Sequence, residues 1–425
     1  MQLIQAMGPT ARLLSLSFKH AWRNRRRTLL IAFCVLIGNL VMIFQLAQGR
    51  GQEKAFMDNM IHSMSGHIEL VRSNGKTNFS LFEAKIQDAL PLPAVDGLEQ
   101  VLQSTQHVTA YTRRIRFGSM FARDEDTWSG FVMGVQPEKE REVCGALKIA
   151  SGRFVKSGQN EIVISAAMAR DQNLKIGDEV ALLTSTANRS FNGMEFRIVG
   201  FLSDTGLSKF FSRIAYIPID RAQQLIGVDK DQVYEEVVLV DQTKNTDSVA
   251  AAIKSSVDYK KYDGVKVLTW RELGGIFIGI LSLGKVFRAV MAAFLSIVIL
   301  ILVFSSFSVY VHERGREMAT LMAIGLRKWE LGLLFVAEGA WIALLGSFAG
   351  LLIGGGGSWW LSKVGIPAFN DAMQYAFAGD RLYPIVTAGD ILSLMLVSCA
   401  IAAIAALMPV RRMLKKDMTK MLNRS

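Results

Sequence analysis

The chain has 425 residues, of which 51% are hydrophobic and 20% are charged, and its mean hydropathy is +0.28. These values exclude an ordinary soluble enzyme, which is less apolar, and a long disordered chain, which is more highly charged. The hydrophobic fraction and the mean hydropathy are, however, too low for a chain that lies wholly in the bilayer. We therefore expect membrane spans joined to a sizeable aqueous domain.

The net charge of +11 is concentrated beside hydrophobic runs. Residues 1–49 carry +6, residues 50–275 carry −1 and residues 276–425 carry +6. The nearly neutral middle leaves no basic face for nucleic acid. Basic residues that flank apolar runs instead follow the positive-inside rule, which predicts a membrane protein with those flanks in the cytoplasm.

The first hydrophobic run covers residues 28–48 and follows a basic N-terminus, residues 1–27. As a helix it would be about 30 Å long, which matches one bilayer core. A cleaved signal peptide is the alternative, but its apolar core has only about 7–15 residues. We predict a retained transmembrane helix whose N-terminus is cytoplasmic.

Residues 49–272 predict a large mixed α+β domain. Short alternating apolar runs between Gly, Asp and Asn turns indicate strands, and helical patterns lie between them. The predicted strands are Gly66–Val71, Glu161–Ser165, Glu179–Thr184 and Phe196–Leu202, and the predicted helices are Leu81–Leu90, Ala166–Asn173 and Asp220–Ile226. Cys144 is the one cysteine of this segment, so we expect a small buried side chain rather than a disulfide or a reactive thiol.

Further apolar runs complete the membrane part. Residues 273–284 contain several glycines and predict a short interfacial helix, whereas residues 286–311, 331–361 and 385–409 are long enough to span. Four spans place the 312–330 loop and the 410–425 tail in the cytoplasm, and the domain and the 362–384 loop on the other side. The predicted fold is an α-helical transmembrane bundle of four spans with a large mixed α+β extracytoplasmic domain between spans 1 and 2.

The third run carries Gly346, Gly350 and Gly354 at a spacing of four. Glycines at this spacing form one bare stripe on a helix, against which another helix can pack closely. The stripe predicts either tight packing inside one subunit or a helix contact that moves. Because Gly355, Gly356 and Gly357 follow directly, we also expect a break or a frayed helix end near Gly355.

The 312–328 segment predicts a short amphipathic helix on the cytoplasmic side, ending at Gly325. Its apolar face would consist of Met318, Leu321, Met322 and Ile324, and its charged face of Glu313, Arg314, Arg316 and Glu317. Two interpretations stay open from the pattern: the helix lies on the lipid surface, or it docks onto a cytoplasmic partner.

Two polar residues lie inside predicted spans. Asn39 is midway through the first and Glu338 is near the inner end of the third. Such groups are costly in lipid and usually face protein or water. We expect an interhelical hydrogen bond at Asn39 and an ion pair between Glu338 and an arginine of the 312–330 loop.

The sequence lacks three common catalytic and phosphate-binding motifs. The sequence has no GxxxxGK[ST] phosphate loop, no GxSxG elbow and no HExxH zinc helix, and its five histidines are scattered. Nothing in this chain predicts catalysis, a metal site or a bound cofactor.

The chain resembles a known family at several places. The run Glu313–Leu326 (ERGREMATLMAIGL), Ala337-Glu338-Gly339 and Gly346 resemble the signature of FtsX-like permeases. These are membrane subunits of type VII ABC transporters of the MacB and LolC/LolE type, which include the macrolide exporter and the lipoprotein-releasing complex. Ser151–Phe154, Ile176–Val180 and Phe196–Gly200 resemble the periplasmic core domain of that family, and Ser65–Ile68 looks most like the lipoprotein-releasing branch.

The resemblance implies a bacterial inner-membrane permease, dimeric with a second permease chain (the same or a related one), that moves by mechanotransmission. ATP and Mg²⁺ would bind to a separate cytoplasmic ABC ATPase dimer. Lipoprotein extraction toward the periplasm is the leading interpretation, with a possible carrier or adaptor there. The alternatives are efflux of peptides or macrolide-like compounds and non-transporting signalling to a cell-wall hydrolase.

The resemblance also implies site residues. The ATPase would contact a coupling helix with the residues Glu313, Arg314, Arg316, Glu317, Met318, Leu321, Met322, Gly325 and Arg327. Apolar residues suited to a lipid-anchored substrate are Leu40, Ile43, Phe44, Met291 and Phe294.

Overall fold

The computed structural model describes residues 25–72, 91–92, 98–145, 147–203, 212–256 and 264–414. The predicted helix Leu81–Leu90 lies outside this part of the chain. The described chain divides into two compact units. We call the first, within Met1–Gln52, Ser282–Ile366 and Leu382–Ser425, the helical unit. The second, within Glu53–Leu281 and Pro367–Arg381, is the sheet unit.

The helices and strands of the described residues follow in chain order. The helices are α1 (Arg25–Met60), α2 (Leu98–Ser104), α3 (Pro137–Val143), α4 (Ala166–Asp171), α5 (Ile219–Ile226), α6 (Thr246–Ser256), α7 (Trp270–Leu273), α8 (Gly275–Glu313), α9 (Gly315–Ala323), α10 (Lys328–Val364), α11 (Asp371–Phe377) and α12 (Ala388–Leu414). The strands are β1 (Ile68–Arg72), β2 (Val108–Arg123), β3 (Asp126–Val135), β4 (Ile149–Gly152), β5 (Glu161–Ser165), β6 (Glu179–Ser185), β7 (Phe191–Leu202), β8 (Ile214–Pro218), β9 (Glu235–Val240), β10 (Val265–Thr269), β11 (Ile366–Pro367) and β12 (Arg381–Leu382).

Four of the described helices are long and apolar enough to cross a membrane. The candidate spans are Leu281–Glu313, Lys328–Val364, Ala388–Arg412 and Thr28–Ser65, of which the last joins α1 to a π-helical turn at Ile61–Ser65. A helix suits this role because it satisfies every backbone hydrogen bond internally, where lipid offers no partner. In the helical unit these helices share one apolar core, to which Ile43, Phe307, Leu331, Leu351 and Ala406 contribute.

Two expectations about helix ends are wrong. No separate interfacial helix covers residues 273–284, because α8 runs without a break from Gly275 to Glu313. The expected break near Gly355 is also absent, since α10 continues to Val364. A glycine inside a helix costs only about 0.5–1 kcal/mol. That cost is too small to end a helix whose neighbouring residues favour it.

The sheet unit is built around a closed ring of six strands. The strand pairings run β2–β3–β8–β5–β7–β6 and return to β2, because β6 pairs with both β7 and β2. Alternate residues point inward, as in other small barrels. The interior is filled by large apolar side chains, including Phe117, Phe121, Val132, Ile164 and Phe196.

A second layer extends from the other half of β2. Strand β9 pairs with the start of β2, and β1 and β10 follow in antiparallel order. Helices α2 and α6 cover one face of these strands, where Leu102 and Ile253 are completely buried. Strands β1 and β10 pair Ile68 with Thr269.

The predicted local structure of this unit is largely confirmed. The four predicted strands correspond to β1, β5, β6 and β7, although β7 begins earlier, at Phe191. The helices predicted from Ala166 and Asp220 correspond to α4 and α5. Helix α4 begins where the Ser165 hydroxyl accepts a hydrogen bond from the Met168 amide at 3.1 Å, an N-cap of the usual kind.

Candidate functional site

The predicted coupling segment folds as α9, between the end of α8 and the start of α10. Met318 and Ala319 are completely buried in the core of the helical unit, and Met322 is 8% exposed. Leu321 packs against the same core. Three of the four residues of the apolar face found in the sequence, Met318, Leu321 and Met322, are thus covered by the chain itself and are not available to a lipid surface.

The two large apolar side chains of the segment that are exposed lie beyond the C-terminal end of α9. Ile324 is 74% exposed and Trp329 is 58% exposed; Glu313, Glu317 and Arg327 are exposed as well. Ile324 was expected on the apolar face, but it follows the last helical residue, so it points away from the core. Arg316 belongs to α9, and its side chain lies outside the described part.

Gly325 ends the helix in a specific way. Its φ is +105°, in the region that favours glycine. The Gly325 amide donates to the Met322 carbonyl at 3.1 Å, and the Leu326 amide donates to the Leu321 carbonyl at 3.1 Å. This pair of bonds is the Schellman motif. It satisfies two terminal carbonyls and sets the direction in which the chain leaves α9.

The glycine stripe of α10 lies against α1. A Cβ atom on Gly346 or Gly350 would overlap the carbonyl oxygen of Ala32 or Leu36, respectively. A Cβ atom on Gly354 would lie 2.5 Å from the side chain of Ile43 and 3.1 Å from the Cα atom of Leu40. The two backbones therefore approach as closely as only glycine permits.

Asn39 joins three helices inside this unit. Its side-chain amide donates to the Ser347 hydroxyl at 3.3 Å, and the Ser398 hydroxyl donates to its Oδ1 atom at 2.8 Å. The predicted interhelical hydrogen bond is confirmed.

The predicted ion pair of Glu338 is confirmed too. Its Oε2 atom lies 3.7 Å from Nη1 of Arg314, and both side chains are buried.

The five proposed substrate-contacting residues do not form one surface in this chain. Ile43 is completely buried, and Leu40 lies against Gly354, so both belong to the interface between α1 and α10. Phe44 and Met291 are half-buried, whereas Phe294 is 57% exposed. Within the described ranges, no three His, Cys, Asp or Glu side chains are grouped so that they could hold a metal ion.

The sheet unit holds a buried ion pair that sequence reasoning missed. Arg114 is completely buried, and its Nε and Nη2 atoms donate to the two carboxylate oxygens of Glu140 at 2.9 and 2.7 Å. Its Nη2 also lies 2.8 Å from Sγ of Cys144, and its Nη1 donates to the Met64 carbonyl. Burial raises the pKa of the Cys144 thiol to about 12, so this thiol is not nucleophilic, as expected.

A second buried cluster lies on the neighbouring strands. Nη2 of Arg116 donates to Glu235 at 2.8 Å and to Glu69 at 3.3 Å. Two carboxylates thus share one guanidinium, while the charge of Arg114 is matched by Glu140. Burial, and then the negative charge of Glu235, raise the pKa of Glu69 to about 7 against the lowering effect of Arg116 and Arg114. A sequence clue was the group of three arginines, Arg113, Arg114 and Arg116, within four residues of β2.

Family models match most of the chain. The model described as "MacB-like periplasmic core domain" matches residues 28–256, more than half of the chain, and the model described as "FtsX-like permease C-terminal" matches residues 289–418. The chain belongs to the FtsX-like permeases. It is thus a membrane protein with a mixed α/β periplasmic core domain, and the resemblance read from its sequence is confirmed.

Relatives of this permease are ABC transporter permeases. It is 24% identical over 296 residues to the lipoprotein-releasing system transmembrane protein LolC of Neisseria meningitidis serogroup B, with 66% of the permease and 69% of LolC covered. It is 24% identical over 363 residues to the uncharacterized ABC transporter permease YknZ of Bacillus subtilis, with 80% and 84% covered. The periplasmic region of MacB from Actinobacillus actinomycetemcomitans matches with a TM-score of 0.35 and 13% identity, covering 52% of the permease and 95% of that chain.

Permeases of ABC transporters are generally non-catalytic membrane subunits. Membership of the family implies that this permease associates with an ABC ATPase and with a partner permease.

The Glu69 cluster predicts a pH effect on the stability of the periplasmic core domain. The folded-state pKa of Glu69 lies above its ordinary value of 4.5. The stability that protonation of Glu69 gives to the folded domain is therefore fully present below pH 4.5 and is lost as the pH rises through about 7. Because Glu69→Gln removes this titration, the variant should gain about 1–3 kcal/mol relative to the unsubstituted permease between pH 5 and pH 8.

Urea unfolding of the purified permease at several pH values measures this difference. The control is Glu179→Gln, which changes an exposed carboxylate on β6. Because this side chain stays in water in the folded state, the substitution should change the free energy of unfolding by no more than about 0.5 kcal/mol. A difference for Glu69→Gln that stays constant with pH would contradict the prediction.

Proposed function

We propose that this permease is the membrane subunit of an ATP-driven system that releases lipoproteins, or similar lipid-anchored substrates, from the inner membrane toward the periplasm. The observation that carries the proposal is the similarity to LolC, a transmembrane protein of a lipoprotein-releasing system. The Ser65–Ile68 run, which resembles the same branch, supports it.

The proposed topology places both termini in the cytoplasm. The basic flanks of the apolar runs favour this orientation. The α9 segment then faces the cytoplasm, and the sheet unit faces the periplasm. Energy would come from ATP and Mg²⁺ bound to a separate ATPase dimer, because the sequence of this chain contains no phosphate-binding loop.

The proposed ATPase contact includes fewer residues than the coupling helix predicted from the sequence. Arg314, Met318 and Met322 are buried in the helical unit, so they support the segment rather than touch a partner. The exposed residues around the Schellman motif remain for docking: Glu317, Ile324, Gly325, Arg327 and Trp329. An apolar side chain as exposed as Ile324, beside charged neighbours, suits a protein contact.

The substrate and the second permease would use the exposed side of α8. In its most apolar stretch only 11% of the residues are buried by this chain, and Val290, Phe294 and Ile297 are each more than half exposed. Such a surface suits acyl chains, lipid or another apolar helix. Mechanotransmission would change how two such surfaces meet and would expel the substrate outward, without threading it through a pore.

A release assay tests the proposed function. The permease and its cognate ATPase are reconstituted in liposomes that contain an acylated lipoprotein, with a periplasmic acceptor supplied. We expect ATP-dependent appearance of the lipoprotein in the soluble fraction, and none with a hydrolysis-deficient ATPase. Intact ATPase activity without release would overturn lipoprotein extraction and would favour efflux or signalling to a cell-wall hydrolase.

The docking surface gives a separate prediction. Ile324→Asp should reduce co-purification of the ATPase about tenfold or more, because it places a charge at the centre of the proposed contact. The helical unit should stay folded, since the side chain is 74% exposed. Pull-down from detergent measures the effect.

The matched control is Phe191→Asp, which changes a side chain of the sheet unit that is 89% exposed. This variant should bind the ATPase normally. Normal binding by both variants would place the ATPase contact elsewhere.

A further inference from the structure

The chain leaves the α-helical conformation at a single residue, between the end of α8 and the start of α9. Helix α8 ends at Glu313 and α9 begins at Gly315. Between them, Arg314 has φ −92° and ψ 11°, outside the helical region. The Arg314 amide still donates to the Tyr310 carbonyl at 3.2 Å, and its carbonyl accepts from the Met318 amide at 2.9 Å. The backbone bonds on both sides are kept, so the turn is well defined.

The side chain of Arg314 is held from several sides. Its Nη1 lies 3.7 Å from Oε2 of Glu338 on α10, and its Nε lies 3.3 Å from Oε2 of Glu317 on α9. The guanidinium lies over the Tyr310 ring, with Cζ 4.8 Å from the centroid. The Tyr310 hydroxyl donates to the other carboxylate oxygen of Glu338. One cation therefore connects the last turn of α8, the first turn of α9 and α10.

The position of Glu338 makes this cation necessary. Glu338 lies ten residues into α10, about 15 Å from its start, and is 1% exposed. A carboxylate in an apolar bundle is costly unless a countercharge and hydrogen bonds compensate it. The next residue, Gly339, brings α10 close to its neighbours, because a Cβ atom there would lie 3.0 Å from the Phe307 ring and 3.1 Å from Cβ of Ala406.

We propose that Glu338 is a positioning residue that, through Arg314, fixes the angle between α8 and α9 before any ATPase docks. Apolar packing of Met318 holds α9 against the core, but packing is non-directional. The ion pair restricts the orientation of α9, because it holds Arg314, the residue between α8 and α9, at one position on α10, that of Glu338. The exposed Ile324 end of α9 is thereby presented in one orientation. The inference rests on the proposed docking role of this end, although the orientation itself can be measured without it.

Pulsed electron paramagnetic resonance on the full-length chain, without ATPase or substrate, tests the proposal. Spin labels are attached at Ala323→Cys and Ile353→Cys, both exposed positions of the helical unit, with Cys34 and Cys399 replaced by alanine. We expect a narrow distance distribution in the otherwise unsubstituted chain. In R314M/E338L that narrow distribution should be lost, while thermal stability is kept, because replacing both partners of a buried pair is often neutral.

Two further variants keep the test decisive. Glu338→Gln preserves shape but removes the charge, so its distribution should broaden even if the double variant does not fold. Arg314→Lys preserves the positive charge and should keep the distribution narrow.

The matched control is R50M/D390L, which removes an ion pair of 2.6 Å elsewhere in the same unit and should leave the distribution unchanged. A narrow distribution in folded R314M/E338L or in folded Glu338→Gln would overturn the proposal.

The functional consequence is measured on the reconstituted complex. R314M/E338L should still co-purify with the ATPase but should lose the stimulation of ATP hydrolysis by the permease. Failure of lipoprotein release by the unsubstituted permease would refute the proposed function and would leave the distance measurement unaffected. Full stimulation in the double variant would overturn the positioning role.

Discussion

Replacing Arg114 by methionine is expected to lower the free energy of unfolding of the sheet unit by about 3–5 kcal/mol, because Glu140 is left as a buried charge without a partner. Both side chains are completely inaccessible to solvent. The variant also loses the hydrogen bond to the Met64 carbonyl and the contact with Cys144. Chemical denaturation of the full-length permease, followed by hydrogen exchange in β2, measures the loss.

Arg153→Met is the matched control for this prediction. Arg153 makes the same two-pronged contact with a glutamate, Glu161, but its side chain is 44% exposed. Exposed pairs contribute about 0–1 kcal/mol, so the control should lose no more than that. R114M/E140L should recover most of the stability of Arg114→Met, since no charge is left unpaired. Equal losses for Arg114→Met and Arg153→Met would show that burial does not control the effect.

Gly350→Ala is expected to destabilise the helical unit by about 1–3 kcal/mol, because the added methyl group forces α1 and α10 apart. Its Cβ atom would overlap the Leu36 carbonyl oxygen and lie 3.0 Å from the Leu36 Cα atom. Neither is the end of a flexible side chain, so the backbone itself must move. Thermal unfolding in detergent, monitored by size-exclusion chromatography, measures the change.

The control for this prediction lies on the same helix. At Gly356 a Cβ atom would have nothing within 4 Å. Alanine favours a helix over glycine by about 1 kcal/mol, so Gly356→Ala should be neutral or stabilising. The two substitutions are identical and lie six residues apart on one helix. Changes in stability of opposite sign would therefore come from packing alone. Equal effects would mean that α1 does not lie against the stripe.

The four long helices and four strands of the sheet unit followed from local patterns in the sequence, whereas other strands, including the long β2 and β3, were not predicted. Apolar runs of bilayer length indicated the four long helices, and short apolar runs between turn residues indicated strands such as Glu161–Ser165, which the structure reproduces residue for residue. Both patterns depend only on residues that are close together in the chain, so they can be recognised in the local sequence. The exceptions were glycine-rich stretches, where the cost of a glycine is small compared with the packing around it.

Some features of the candidate site also followed from the local sequence, and others did not. The spacing of Gly346, Gly350 and Gly354 indicated a close helix contact, and Glu338 indicated a buried partner, because each residue is unsuited to lipid on its own. The identity of α1 as the packing partner, and the burial of Met318 and Met322 under the chain's own helices, did not follow from the pattern. An amphipathic helix has the same sequence whether its apolar face meets lipid, a partner or its own protein.

By itself, then, the sequence of this permease determined the membrane class, the order of the long apolar helices and the domain, and the family, because hydropathy, charge and motif spacing are properties of short stretches. The tertiary structure decided the closed ring of strands and the pairing of Arg114 with Glu140 and of Arg116 with Glu69 and Glu235. It also decided which residues of the predicted coupling segment are exposed. These features join residues far apart in the chain, and their energies arise only when folding removes water from both partners.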